Sequence, residues 1–295
     1  MVEQPTAMMY HMPVQPGVVR FRAYRRYEAL RVEASNALMG LLAGAQLSNH
    51  LLQLNRGSDR LLPEVYPNVP HIRRFNLTAE AASDILAEAD VHLGAMSIAY
   101  VLALHEDSLK TCLGMAAEAG LISRRRARDT RSAGQHEALQ QACGSRIDSL
   151  PLEQLAVLRR MRNAVIHDGG RVDRGLVDAI AALSPGAVLA WRKASGSDPS
   201  GLAPGDVLRL GHGEMLLALA VTKTVDRACN GLLQIGLPRD HWTREAVSDA
   251  LVEHPSARRS GTALRKCHGF ARHHYGPLRL SRAEVESELV HHRDD

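Results

Sequence analysis

The run Arg162-Asn163-Ala164-Val165-Ile166-His167 holds the residue types best suited to chemistry in this sequence. A histidine changes protonation state near neutral pH and can serve as an acid or a base. A guanidinium stays cationic and offers a planar fork of donors to an oxyanion, and the asparagine amide between them can donate or accept. Arg162 follows Leu158 by four residues and Leu155 by seven, so it shares a helical stripe with apolar side chains. A cation in that position requires an anionic or carbonyl partner. Two readings are open at this point: Arg162 belongs to a reactive site, or it sits in a structural ion pair with an acidic residue of the second long helix. Arg131 precedes His136 by the same interval but within a charged loop, and that pair is assigned no role.

The elements that must position these residues are helical. Apolar residues recur at helical spacing from about Tyr24 to Leu54, after five arginines at 20, 22, 25, 26 and 31. Thr78 with Glu80 starts a second helical stretch, expected to bend near His105 and end by Leu121. Arg124, Arg125, Arg126, Arg128 and Arg131 then make a solvated basic loop, and a short helix is expected over 134–143. Ser149 with Pro151 and Glu153 opens the helix that carries the motif, and Gly169-Gly170 stops it. A short helix near 173–183 leads to Pro185-Gly186 and a linker-like run over 194–201, and Val207–Leu210 reads as extended. A long helix from Glu214 to Leu233 buries Met215, Leu219, Thr222, Val225 and Cys229 on one side. Thr243 is expected to cap a further helix through Leu251. The resulting expectation is a mainly α fold in three parts: an N-terminal arm over 1–23, a helical domain over 24–236, and a basic helical C-terminal appendage over 237–295.

Composition narrows the function classes. With 295 residues, 45% hydrophobic and 23% charged, the chain can bury a sizeable core. Its longest apolar stretches fall well short of the ~18–20 residues that span a bilayer, and no basic region followed by an apolar core opens the sequence. No membrane association is therefore expected, and the expected compartment is the cytoplasm. Cys112, Cys143, Cys229 and Cys267 are too scattered for a zinc or redox motif and read as packed, reduced thiols. Only four of the 36 basic residues are lysine, a ratio that suits phosphate recognition but that codon bias in a GC-rich genome explains with no function at all, and a net charge of +4 is a mild pointer to a polyanion.

The motif, with two long helices before it and one after, resembles the R-N-x-x-x-H form of the R-x(4–6)-H motif of the HEPN superfamily of small helical bundles. The likeness in helix order covers roughly 24–236; residues 237–295 have no counterpart in it. The resemblance implies a metal-independent endoribonuclease that needs no cofactor and works as a homodimer, with two motifs meeting at the subunit interface. It implies that His167 is the general acid/base, that Arg162 stabilises charge on the phosphorus, and that Asn163 orients the phosphate or the histidine. The products would be a 2′,3′-cyclic phosphate and a 5′-hydroxyl, and the role that of a toxin or defence effector, with an antitoxin or a nucleotidyltransferase as a further partner. The long insertions depart from a minimal member, so a non-catalytic helical module that binds RNA, nucleotides or a protein partner is the alternative.

Other features carry less. The clusters at 20–31, 124–131 and 258–272 could track an RNA backbone, with Arg124, Arg125, Arg126 and Arg128 as the RNA-binding candidates. Aromatic residues make up only 4% of the chain, which argues against a base-stacking platform. Cys267-His268 with His273-His274 fits no common zinc spacing, so no metal is expected. A DNA-binding element near the C-terminus is disfavoured because Gly269, Gly276 and Pro277 should break its recognition helix.

Overall fold

The computed structural model describes residues 17–55, 57–255 and 262–294. Thirteen α-helices run in the order α1 (Arg22–Gln53), α2 (Leu62–Val65), α3 (Ala79–Ala87), α4 (Ala89–Glu118), α5 (Arg124–Asp129), α6 (Gln135–Cys143), α7 (Ser149–His167), α8 (Arg174–Ala181), α9 (Pro185–Ser195), α10 (His212–Gly236), α11 (Arg239–Glu253), α12 (Ala263–His274) and α13 (Arg282–Asp294). Among the described residues no strand forms, and only two isolated bridges, Leu61 with Thr78 and Arg171 with Val207, interrupt the helical pattern. The fold is mainly α, as the periodicity predicts, and no single described helix is long and apolar enough to cross a membrane.

α4 is the central element. Its stripe Ile98, Val101, Leu102, His105, Leu109, Cys112, Leu113 and Ala116 is buried at the three- and four-residue spacing of one helix face. It packs most extensively on α10, whose buried face includes the residues named from the periodicity: Met215, Leu219, Thr222, Val225 and Cys229. Gly94 lets α4 approach the segment leading into α10, since a Cβ there would lie 2.0 Å from the Leu210 carbonyl oxygen. Thr78 caps α3 as expected, accepting from the Ala81 amide at 3.2 Å. The predicted bend is displaced, however. The chain turns by 49° at Glu88, between α3 and α4, and α4 runs unbroken through His105 because that side chain is satisfied inside the core.

Other local expectations shift for similar reasons. The basic stretch after Ser123 is a short exposed helix, α5, capped by the Ser123 hydroxyl. Pro185-Gly186 does not end a helix but opens α9, with Ser184 as its cap, and Glu153 of α7 accepts from the Ser184 amide at 2.9 Å. Thr243 lies inside α11, which begins after Pro238, and its hydroxyl donates to the Arg239 carbonyl. α12 passes through Gly269 without a break, and His291 and His292 belong to α13.

The described residues of 237–295 form part of the same core as the helices before them. Trp242, Ala246, Ala271, Tyr275 and Val285 join one continuous cluster with Phe21, Leu102 and Leu233. The aromatic rings of Phe21 and Trp242 stand 6.0 Å apart, and those of Trp242 and Tyr275 6.2 Å. Asp249, almost wholly buried, accepts from the Arg22 amide, the Arg25 guanidinium and the Tyr275 hydroxyl. Of the arm expected over 1–23, residues 1–16 lie outside the described residues; Val19 and Phe21 are packed, with Asn230 of α10 bonding both backbone groups of Val19.

A polar bridge crosses the core. His105 Nδ1 meets Asp226 Oδ2 at 2.7 Å, the Ser108 hydroxyl donates to Asp226 Oδ1 at 2.7 Å, and His105 Nε2 faces His136 Nε2 at 3.0 Å. The carboxylate fixes a proton on His105 Nδ1, so one proton lies between the two Nε2 atoms; a second would set two N–H groups head to head. Burial, with the neighbouring His105 and Arg159 charges, pushes the His136 imidazole down to about 2, so it stays neutral in the fold. The unfolded chain takes up that proton near pH 6.5. Stability is therefore full above pH 6.5 and falls as the pH drops below it, by at most about 1.4 kcal/mol per pH unit. Urea melts between pH 8 and 5 should show this loss, and His136→Gln, which keeps an amide for His105 but does not titrate, should reduce it; a pH-independent wild type would contradict the bridge.

Candidate functional site

α7 begins with Asp148 accepting from the Leu150 amide, one residue before the Ser149 expected from sequence. It ends where predicted: Gly169 and Gly170 both take positive φ, 61° and 77°, which a glycine adopts without strain. The Gly170 amide turns back onto the Ala164 carbonyl at 2.9 Å, and the Gly170 carbonyl receives the Leu208 amide at 2.7 Å. The segment expected to be extended thus pins the end of the motif helix, through a single bridge and not a strand.

Leu155, Leu158, Met161 and Ala164 bury one face of α7. Arg162 lies at the edge of that face, as its spacing predicts, and its Nη2 donates to Glu106 Oε1 of α4 at 2.8 Å. The two side chains are 23% and 18% exposed, so the pair lies just beneath the surface and is screened less than an open ion pair. Asn163 and His167, four residues apart, share the opposite, exposed face with Ile166 at 51% exposure. Arg162 is therefore anchored and His167 is open, and the two project from different sides of one helix end.

Two further residues of this neighbourhood are not among the sequence candidates. Glu106 is the acidic partner of Arg162, and Arg159, one turn earlier on α7, lies beside them. Burial lowers the Arg159 guanidinium from its usual range, the Glu106 charge works the other way, and the Arg162 charge adds to the lowering. The Arg159 charge also helps depress His136. The clue in the sequence is positional: His105 falls on the apolar stripe of α4, and Arg159 precedes Arg162 by three. Arg131…His136, assigned no role, resolves into a loop arginine and a core histidine on α6.

The RNA-binding candidates lie elsewhere. Arg124, Arg125, Arg126 and Arg128 are exposed on α5, where Asp129 pairs with Arg125 and Arg128 and Gln141 accepts from Arg126. They follow the end of α4, roughly 18 Å along its axis from Glu106 at 1.5 Å per residue. In the first basic cluster Arg25 is spent internally, on Asp249, Glu253 and the Phe270 ring. Cys267 is buried, and no group of three or more His, Cys, Asp or Glu side chains among the described residues is arranged to hold a metal. No disulfide links the four cysteines, all buried; burial pushes the Cys143 thiol up to about 11 and Cys112 and Cys229 higher still, which leaves them poorly nucleophilic.

One carboxylate serves two guanidiniums unequally, bonding Arg162 and acting on Arg159 only through its charge. Arg162→Ala leaves Arg159 beside Glu106, whereas Glu106→Ala leaves two cations facing each other. Arg162→Ala should cost about 1–2 kcal/mol and Glu106→Ala roughly twice that. Chemical denaturation of both variants measures the order, and equal costs or a larger cost for Arg162→Ala would contradict a Glu106 charge that acts on both guanidiniums. Comparison with protein-family models, curated proteins and solved structures finds no match to this chain.

Proposed function

We propose that the protein is a metal-independent endoribonuclease of HEPN type, in which Arg162, Asn163 and His167 act at a homodimer interface. The observation that carries the reading is the division of labour on one helix end. Glu106 holds Arg162 in a fixed place, while Asn163 and His167 stand on an exposed face with Ile166. A single histidine cannot be both acid and base in one concerted step, and a second copy of the motif supplies the missing one. In this reading a neutral His167 removes the proton from a ribose 2′-hydroxyl, the oxygen attacks the adjacent phosphorus, and the partner subunit protonates the leaving 5′-oxygen. Arg162 stabilises the charge gathering on the phosphorane oxygens.

The Arg162–Glu106 pair itself favours a second reading, a helical RNA-, nucleotide- or protein-binding module in which Arg162 fastens α7 to α4 and has no chemical task. The two readings separate on one assay. Wild-type protein incubated in EDTA with structured and unstructured RNA should leave fragments ending in 2′,3′-cyclic phosphate and 5′-hydroxyl. His167→Ala, an exposed change that leaves the fold intact, should lower the cleavage rate by at least ~100-fold. Intact RNA after incubation with a folded wild-type dimer would favour the binding module.

A further inference from the structure

Nine buried side-chain polar atoms among the described residues lack a hydrogen-bond partner. Six of them are single atoms on six different uncharged residues. The other three are Arg159 Nε, Arg159 Nη2 and Arg162 Nε, on consecutive turns of α7. Nε and Nη2 form one edge of a guanidinium, the fork that meets two oxygens of a carboxylate or phosphate side by side. On Arg159 the whole fork is unpaired. On Arg162, Glu106 takes the Nη2 half and the Nε half is left. Unpaired cationic donors are costly beneath the surface, and the local balance of two guanidiniums against one carboxylate leaves one positive charge.

We propose that Arg159 and Arg162 form an anion site for one phosphoryl group. Two oxygens meet the Arg159 fork, a third meets Arg162 Nε, and Glu106 keeps the guanidiniums apart while the site is empty. Three donors suit a tetrahedral oxyanion better than a planar carboxylate, whose two oxygens the Arg159 fork alone would occupy. The three donors are themselves buried, so a ligand reaches them only if the partly exposed Arg162 and Glu106 side chains move aside. The inference rests on the ribonuclease reading only in equating this phosphoryl group with one of an RNA backbone. Arg159 then becomes a second binding residue one turn behind the motif, and anion binding can be measured with no cleavage at all.

The probe is inorganic phosphate, compared with sodium chloride at equal ionic strength in thermal melts of the full chain. Wild type should gain roughly 5 °C at a hundredfold excess of phosphate over its Kd. Arg159→Met removes the unpaired cation, so it should melt about 2 °C or more above wild type without phosphate and show no phosphate-specific gain. A merely structural arginine would do the reverse: a lower melting temperature and an unchanged response to phosphate. Should Arg159→Met not fold, calorimetry of phosphate with Arg159→Lys decides, since a lysine keeps the charge without the fork. At least a tenfold weaker Kd upholds the site, and an unchanged Kd overturns it, as does a wild type indifferent to phosphate. Phosphate binding with no RNA cleavage would retain the anion site and remove the ribonuclease; cleavage with no phosphate binding would do the opposite.

Discussion

His105 and Glu106 are consecutive residues of α4, and the surroundings of the site depend on where these two side chains point. Neighbours on a helix project about 100° apart, so one enters the core toward Asp226 and His136 while the other reaches Arg162 on α7. A single turn of one helix thereby fixes α6, α7 and α10. Ser108 strengthens the hold with a second hydrogen bond to Asp226. Apolar contacts tolerate small slides, but directional bonds between desolvated groups specify a register, because a shift of one residue would leave several of them unmet.

With its register fixed, α7 presents two faces of opposite character. Leu155, Leu158, Met161 and Ala164 anchor it, and Asn163, Ile166 and His167 stand free beyond the end of the core. Arg159 and Arg162 lie between the two, beneath the surface and incompletely paired. A fold selected for stability alone would not keep an unmatched guanidinium fork there, and such local costs are characteristic of places where a ligand supplies the missing partner. The remaining basic residues do not share that character, since α5 is solvated and Arg25 is consumed in holding α1 to α11.

The helices were legible wherever one face is continuously apolar: α1, α7 and α10 fall within a few residues of their periodicity. Legibility failed where the decisive contact is distant in sequence. The bend expected near His105 does not form, and the Asp226 carboxylate that satisfies this side chain inside the core lies 121 residues away. Pro185 looked like a terminator, although the same residue is equally suited to the first turn of a helix. At the site, the end of the motif helix at His167 follows from the glycines behind it, and the need of Arg162 for an anionic or carbonyl partner follows from its stripe. Glu106 could not be chosen among the acidic residues of α4 from periodicity alone, and the three-residue spacing places Arg159 beside Arg162 without showing whether its guanidinium is paired, since that depends on contacts distant in sequence.

The most direct test of the polar bridge that sets this register is a nitrogen-15 NMR titration of the His136 imidazole in the folded protein. The bridge predicts that His136 keeps the nitrogen shifts of a neutral ring from pH 8 down to about 5, where an unperturbed histidine is almost wholly protonated. A midpoint near 6.5 would mean that His136 is not locked against His105, and the register of α4 would then rest on apolar packing alone.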